Sequence, residues 1–63
     1  MLSVIVLEQV SEKYWRASFR EDPRVYGVGR RESEAVAALL QDKLGELILQ
    51  NPGILGLSIE RHE

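Results

Sequence analysis

The sequence predicts an α+β fold of the order β-β-β-α-β, a four-stranded, mostly antiparallel sheet with one helix packed on one face. Three observations carry this. Residues 13–21 and 54–61 alternate apolar and polar side chains with the period of two of a half-buried strand. Residues 32–50 hold the one helical stripe, stopped by Asn51-Pro52-Gly53. A chain of 63 residues has room for a single domain, residues 1–63.

The first strand spans residues 2–10. Leu2, Val4, Val6 and Val10 fall on one face and Ile5 and Leu7 on the other. A strand apolar on both faces belongs at the centre of a sheet. Ser11 and Glu12 form a short polar turn, making the first two strands a hairpin. In the second strand Trp15, Ala17 and Phe19 share one face, and Tyr14, Arg16, Ser18 and Arg20 share the other. Asp22-Pro23-Arg24 interrupts the pattern, because proline donates nothing to a strand ladder. Residues 25–28 form a short third strand, weakened or bulged by Gly27 and Gly29.

In the helix, Val36, Leu40, Leu44, Leu47 and Ile48 form the buried stripe, widened by Ala35, Ala37, Ala38 and Leu39. Glu32 and Glu34 suit the positive N-terminal end. Gly45 costs about 1 kcal/mol relative to alanine in a helix interior and permits close packing on the sheet. In the fourth strand Leu55, Leu57 and Ile59 face one way, and Ile54, Gly56, Ser58 and Glu60 the other. Arg61-His62-Glu63 reads as a frayed tail. A right-handed helical crossover returns the chain parallel to strand three. Strand four then lies beside strand one, in the order 4-1-2-3.

One helix covers one face of such a sheet. Trp15, Phe19, Leu55, Leu57 and Ile59 are expected beneath it. The opposite face carries Tyr14, Arg16, Ser18, Arg20, Ile54 and the remaining aliphatics of strand one, which have no cover within the chain. A second protomer or another protein would supply it. So short a chain hides only about 60% of the surface its unfolded form exposes. With no cysteine and one histidine, disulfides and thiolate or paired-imidazole metal sites are excluded. A homodimer or larger homo-oligomer is the expected extra source of stability.

Eight Lys plus Arg against ten Asp plus Glu leave a net charge of −2 and a pI near 5.3, which disfavours general nucleic-acid binding. No apolar run approaches the roughly 20 residues of a membrane span, and the N-terminus lacks a positive n-region and a cleavage site. A cytoplasmic protein with no membrane contact is expected.

Catalytic chemistry finds no purchase. His62 is the last residue but one, and Glu21-Asp22 reads as a solvated turn. Ser11, Ser18, Ser33 and Ser58 have no base near them in sequence. Gly27 and Gly29 lack the third glycine of the dinucleotide fingerprint, and no calcium-loop spacing is present. No enzyme activity, cofactor or metal is expected. Arg16, Arg20, Arg24, Arg30 and Arg31 cluster in the first half, interspersed with Glu21, Asp22, Glu32 and Glu34. Arginine and tyrosine are enriched at protein interfaces. The candidate partner-binding residues are Tyr14, Arg16 and Arg20, with Arg24 and Tyr26 at the rim. Single-stranded nucleic acid could use the same face by charge and stacking.

The succession of segments resembles the HicB-type antitoxin domain, whose core is a partial double-stranded-RNA-binding fold. Tyr14-Trp15 resembles the aromatic pair that opens the family's second strand. Gly29-Arg30-Arg31-Glu32-Ser33-Glu34-Ala35-Val36 resembles the family's glycine-led helix start, best at Gly29, Glu34, Ala35 and Val36. Asp22-Pro23 falls near its proline-bearing loop. Arg31 stands where the family commonly has a capping threonine, and Pro23-Arg24-Val25 replaces its usual Pro-Gly pair. Many members carry a C-terminal DNA-binding segment. These 63 residues hold none after strand four, so operator binding is not expected of them. The resemblance implies a non-enzymatic, oligomeric protein that neutralises a small basic ribonuclease toxin by occlusion. The alternative is a stand-alone oligomer or a single-stranded nucleic-acid-binding protein of the same fold, without direct nucleic-acid binding in the first case.

Overall fold

The computed structural model describes residues 3–62 and has the elements β1 (Ser3–Gln9), β2 (Trp15–Phe19), β3 (Asp22–Gly29), α1 (Glu32–Leu40), α2 (Gly45–Gln50) and β4 (Leu57–His62), with a 3₁₀ turn at Pro52–Leu55 before β4. Leu2 and Glu63, placed by the sequence in strand one and the tail, lie outside the described residues. The sheet order is β3-β2-β1-β4, which is the expected order read from the other edge. β1 and β2 are antiparallel, as are β2 and β3, and β4 runs parallel to β1. The chain reaches β4 by way of the helices, as a parallel neighbour requires.

Register decides which side chains share a face. Ile5 pairs with Phe19, Leu7 with Ala17 and Gln9 with Trp15. Across the other side of β1, Ser3 pairs with Leu57 and Ile5 with Ile59. These residues form the helix-facing side. Ile5, Leu7, Ala17, Ala35, Val36, Leu39 and Ile48 are buried there, with Trp15, Phe19, Leu40, Leu49, Leu57 and Ile59 packed around them. On β3 the same side presents Gly29 opposite Trp15 and Gly27 opposite Ala17. A β-carbon at Gly27 would stand 2.7 Å from the Ala35 carbonyl oxygen, and one at Gly29 2.7 Å from the Ala35 nitrogen. The two glycines are therefore the seat on which α1 rests, not a bulge.

The bulge lies earlier in β3. Asp22 pairs with Phe19 and Tyr26 with Ser18, so residues 23–25 have no partner on β2. Pro23 sits inside the strand, not in a break before it. β3 is an edge strand, where a missing N–H costs no ladder bond. The β1–β2 connection is also wider than two residues. The amides of Val10 and Ser11 both donate to the Tyr14 carbonyl, at 3.1 and 3.4 Å, and β2 starts at Trp15.

The predicted helix over residues 32–50 is two helices. Gln41 adopts the left-handed conformation (φ 53°, ψ 45°) and ends α1 with its amide on the Ala37 carbonyl. Asp42 Oδ1 then accepts from the Leu44 amide at 2.9 Å, before α2 begins. Short polar side chains compete in this way with continued helix. The break rotates the second half of the stripe. Ile48 is buried, but Leu44 and Leu47 are exposed. Gly45 abuts α1, not the sheet: a β-carbon there would collide with the Ser33 carbonyl and stand 2.7 Å from the Ala37 Cβ. At the start of α1, Arg31 is the N-cap without a side-chain bond. Glu34 instead reaches back to accept from the Arg30 amide at 3.0 Å.

The last segment departs furthest. Ile54 and Leu55 belong to the 3₁₀ turn, and Ile54 is 77% exposed. Neither lies on a sheet face. Gly56 (φ 69°) turns the chain into β4. Arg61 and His62 are not frayed, since they pair with Leu7 and Glu8. Arg61 Nε also donates to Glu32 Oε2 at 2.7 Å, tying β4 to the first turn of α1.

Candidate protein-binding face

The side of the sheet away from the helices is assembled by the intervening residues. Val6 pairs with Ser18 and Glu8 with Arg16. Ser18 pairs onward with Tyr26, and Arg16 with Val28. Val4 pairs with Ser58, Val6 with Glu60 and Glu8 with His62. The face therefore has two apolar columns, Tyr26 and Val28 on the edge strand β3 and Val4 and Val6 on β1, on either side of Arg16 and the buried Ser18 of β2 and of Arg20 just after it. Tyr26 is 57% exposed and Val28 46% exposed, while Val4 and Val6 are half-buried. Apolar side chains gathered on one uncovered face mark an interaction surface more often than scattered ones do.

Charges run between and beside these columns in opposite-sign pairs. Arg16 Nη2 donates to Glu8 Oε1 at 3.1 Å. Arg20 Nη1 lies 4.0 Å from Glu60 Oε2, and His62 Nε2 lies 3.3 Å from Glu60 Oε1. The Arg16 guanidinium carbon is 6.0 Å from the centre of the Tyr26 ring, at the outer limit of a cation–π contact. Arg16 is thus hydrogen-bonded to a carboxylate and Arg20 lies near one, where a phosphate site would hold both free.

Of the residues singled out from the sequence, the structure brings Arg16, Arg20 and Tyr26 together on this face. Tyr14 precedes β2 and is exposed in the β1–β2 turn. Arg24 lies in the bulge, where its Nε and amide both donate to Asp22 Oδ1, at 3.1 and 3.3 Å. Three participants escape a linear reading: Val28, Glu8 and Glu60. Val28 stands two residues from Tyr26, and that spacing was the available signal. No local signal joins Glu8 to Arg16 or Glu60 to Arg20, because those partners meet only through strand register.

A shallow hollow of about 320 Å³ adjoins the face at the bulged end, with Val4, Phe19 and Val25 as walls and Glu21 and Asp22 among its lining residues. Among the described residues, no three His, Asp or Glu side chains gather where they could hold a metal ion. No helix among them is long and apolar enough to cross a membrane. Compared with protein-family models, curated proteins and solved structures, the chain matches none.

Proposed function

We propose that this protein is a non-enzymatic, oligomeric protein-binding module, antitoxin-like, that occludes a small basic ribonuclease toxin with the open face of its sheet. The observation that carries this reading is the make-up of that face. It carries apolar and aromatic side chains on β1 and β3, and its arginines, on β2 and just after it, lie beside the carboxylates of Glu8 and Glu60. Aromatic and arginine side chains are enriched at protein interfaces. Nucleic-acid affinity instead comes mainly from cations free to neutralise phosphates. The resemblance of the succession of segments and of the Gly29–Val36 motif to the HicB-type domain supplies the toxin as the kind of partner. The net charge of −2 complements a basic one.

The test is a tagged pull-down from the native host, with bound material identified by mass spectrometry and assayed for nucleic acid. The expected result is a small basic protein near one-to-one, whose ribonuclease activity falls on adding this chain. Val28→Asp should abolish both capture and inhibition. Steeply salt-dependent binding to single-stranded oligonucleotides, with no protein captured, would overturn the reading in favour of a nucleic-acid-binding protein.

A further inference from the structure

The two edges of the sheet differ in a way that bears on self-association. An edge strand offers unpaired N–H and C=O groups to any strand laid beside it. β3 is blunted as such an edge: Pro23 has no N–H, and residues 23–25 bulge away from the ladder. β4 carries neither device. It is six residues long, without proline, glycine or a register shift, and it stays paired to β1 through His62.

Its outward backbone groups can be assigned. The Ser3 amide donates to the Gly56 carbonyl. In the parallel ladder that follows, alternate residues of β4 turn toward β1. Ser58, Glu60 and His62 are spent inward, leaving the N–H and C=O of Leu57, Ile59 and Arg61 pointing out. That set of three is symmetric about Ile59. A second copy running antiparallel would exchange about six hydrogen bonds, Ile59 with Ile59 and Leu57 with Arg61 in each direction.

Side chains choose the same register. Centring the pair on Ile59 sets Ser58 opposite Glu60 on the open face and opposes no like charges. Shifted by one residue toward the C-terminus, the pair centres on Glu60 and sets like charges opposite each other, which is destabilising. Shifted by one toward the N-terminus, it centres on Ser58 and keeps only the two Leu57–Ile59 exchanges, about four hydrogen bonds. On the helix side Leu57 and Ile59 are only partly buried, and the partner copy would cover them. Arg61 brings no free charge, since Glu32 holds it.

We infer that two copies of this chain join β4 to β4, antiparallel and centred on Ile59, so that their four-stranded sheets become one of eight strands. The partner is a second copy because the outward donors and acceptors of β4 match themselves, and the register that uses all three outward residues opposes no like charges. This stands independently of the toxin reading, and it leaves the open face free.

The intact chain is tested by sedimentation and by amide hydrogen exchange on diluted and concentrated samples. The expected result is a dimer at about 100 µM that dissociates on dilution. The amides of Leu57, Ile59 and Arg61 should be protected only in the concentrated sample, while those of Ser58, Glu60 and His62 are protected in both. Ser58→Glu, an exposed change, sets Glu against Glu60 twice per dimer and should weaken association about ten-fold. Ser58→Lys should strengthen it. A monomer at that concentration overturns the inference. So does a dimer indifferent to both Ser58 variants, or one whose Leu57, Ile59 and Arg61 amides exchange alike at both concentrations.

Discussion

Gly27 of β3 lies directly beneath Leu39 of α1, so close that a β-carbon at position 27 would collide with the Leu39 backbone nitrogen. The helix rests on strand backbone, and the obstacle is main chain, which cannot swing aside like a side-chain tip. Gly27→Ala should therefore destabilise the protein by about 3 kcal/mol. A chain of this length is expected to hold only about 3–9 kcal/mol in total. Urea unfolding followed by Trp15 fluorescence would measure the loss. An unchanged midpoint would mean that α1 does not sit where β3 lacks side chains.

Gly45 sets two effects against each other. Gly45 opens α2, where helix propensity favours alanine by less than the ~1 kcal/mol of a helix interior. The collision with the Ser33 carbonyl, and the 2.7 Å approach to Ala37 Cβ, oppose it by about 1–3 kcal/mol. The net expectation is destabilisation, and the sign of the shift in thermal midpoint decides between a continuous helix and two packed ones.

The break at Gln41 predicts unequal neighbours in α2. Ile48 is 6% exposed and Leu47 51% exposed. Ile48→Ala should cost about 2–4 kcal/mol, and Leu47→Ala less than about 1 kcal/mol. A continuous helix with both residues in its stripe would make the losses similar. Denaturant midpoints of the two variants separate the cases.

Gln41 itself holds a left-handed conformation that costs a non-glycine residue about 1–2 kcal/mol. Gln41→Gly relieves it at a helix C-terminus, where glycine is favoured. Against the greater freedom glycine gives the unfolded chain, the expected net gain is about 0.5 kcal/mol, visible as a raised thermal midpoint.

The paired arginines predict a gain of function. Glu8→Gln with Glu60→Gln frees Arg16 and Arg20 of their partners, raising the net charge from −2 to zero. Stability should change by less than about 1 kcal/mol, because exposed ion pairs contribute little. Binding to a single-stranded oligonucleotide at low salt should appear in this variant and be absent in the parent. Fluorescence anisotropy across a salt series would reveal it. Equal binding by both would mean that the carboxylates do not mask the face.

Much of the fold was legible because it rests on local period. The two-faced apolarity of residues 4–7 placed β1 at the centre. The alternation of Trp15, Ala17 and Phe19 set β2's inner face, and the helical crossover put β4 beside β1. The misreadings arose where two patterns overlap. Leu40, Leu44 and Leu47 continue a helical stripe on paper, and only the weak helix formers Asp42 and Gly45 hinted at the break. Ile54 and Leu55 extend the alternation of Leu57 and Ile59, although Pro52-Gly53 folds them into a 3₁₀ turn. Tyr14, placed by alternation on the second strand, lies in the turn before it, and Arg24, placed at the rim, lies in the β3 bulge.

The sequence by itself determined the α+β class, the strand order and most of the buried set, since these follow from side-chain period and from the breakers that punctuate it. Tertiary structure decided that Gly27 and Gly29 are a seat for α1, that Arg16 and Arg20 lie beside Glu8 and Glu60, and that β4 is the edge without proline or bulge. Each of these depends on which residues stand opposite one another across the sheet or against α1. Register and packing are properties of pairs far apart in the chain, and no window along the sequence contains both members.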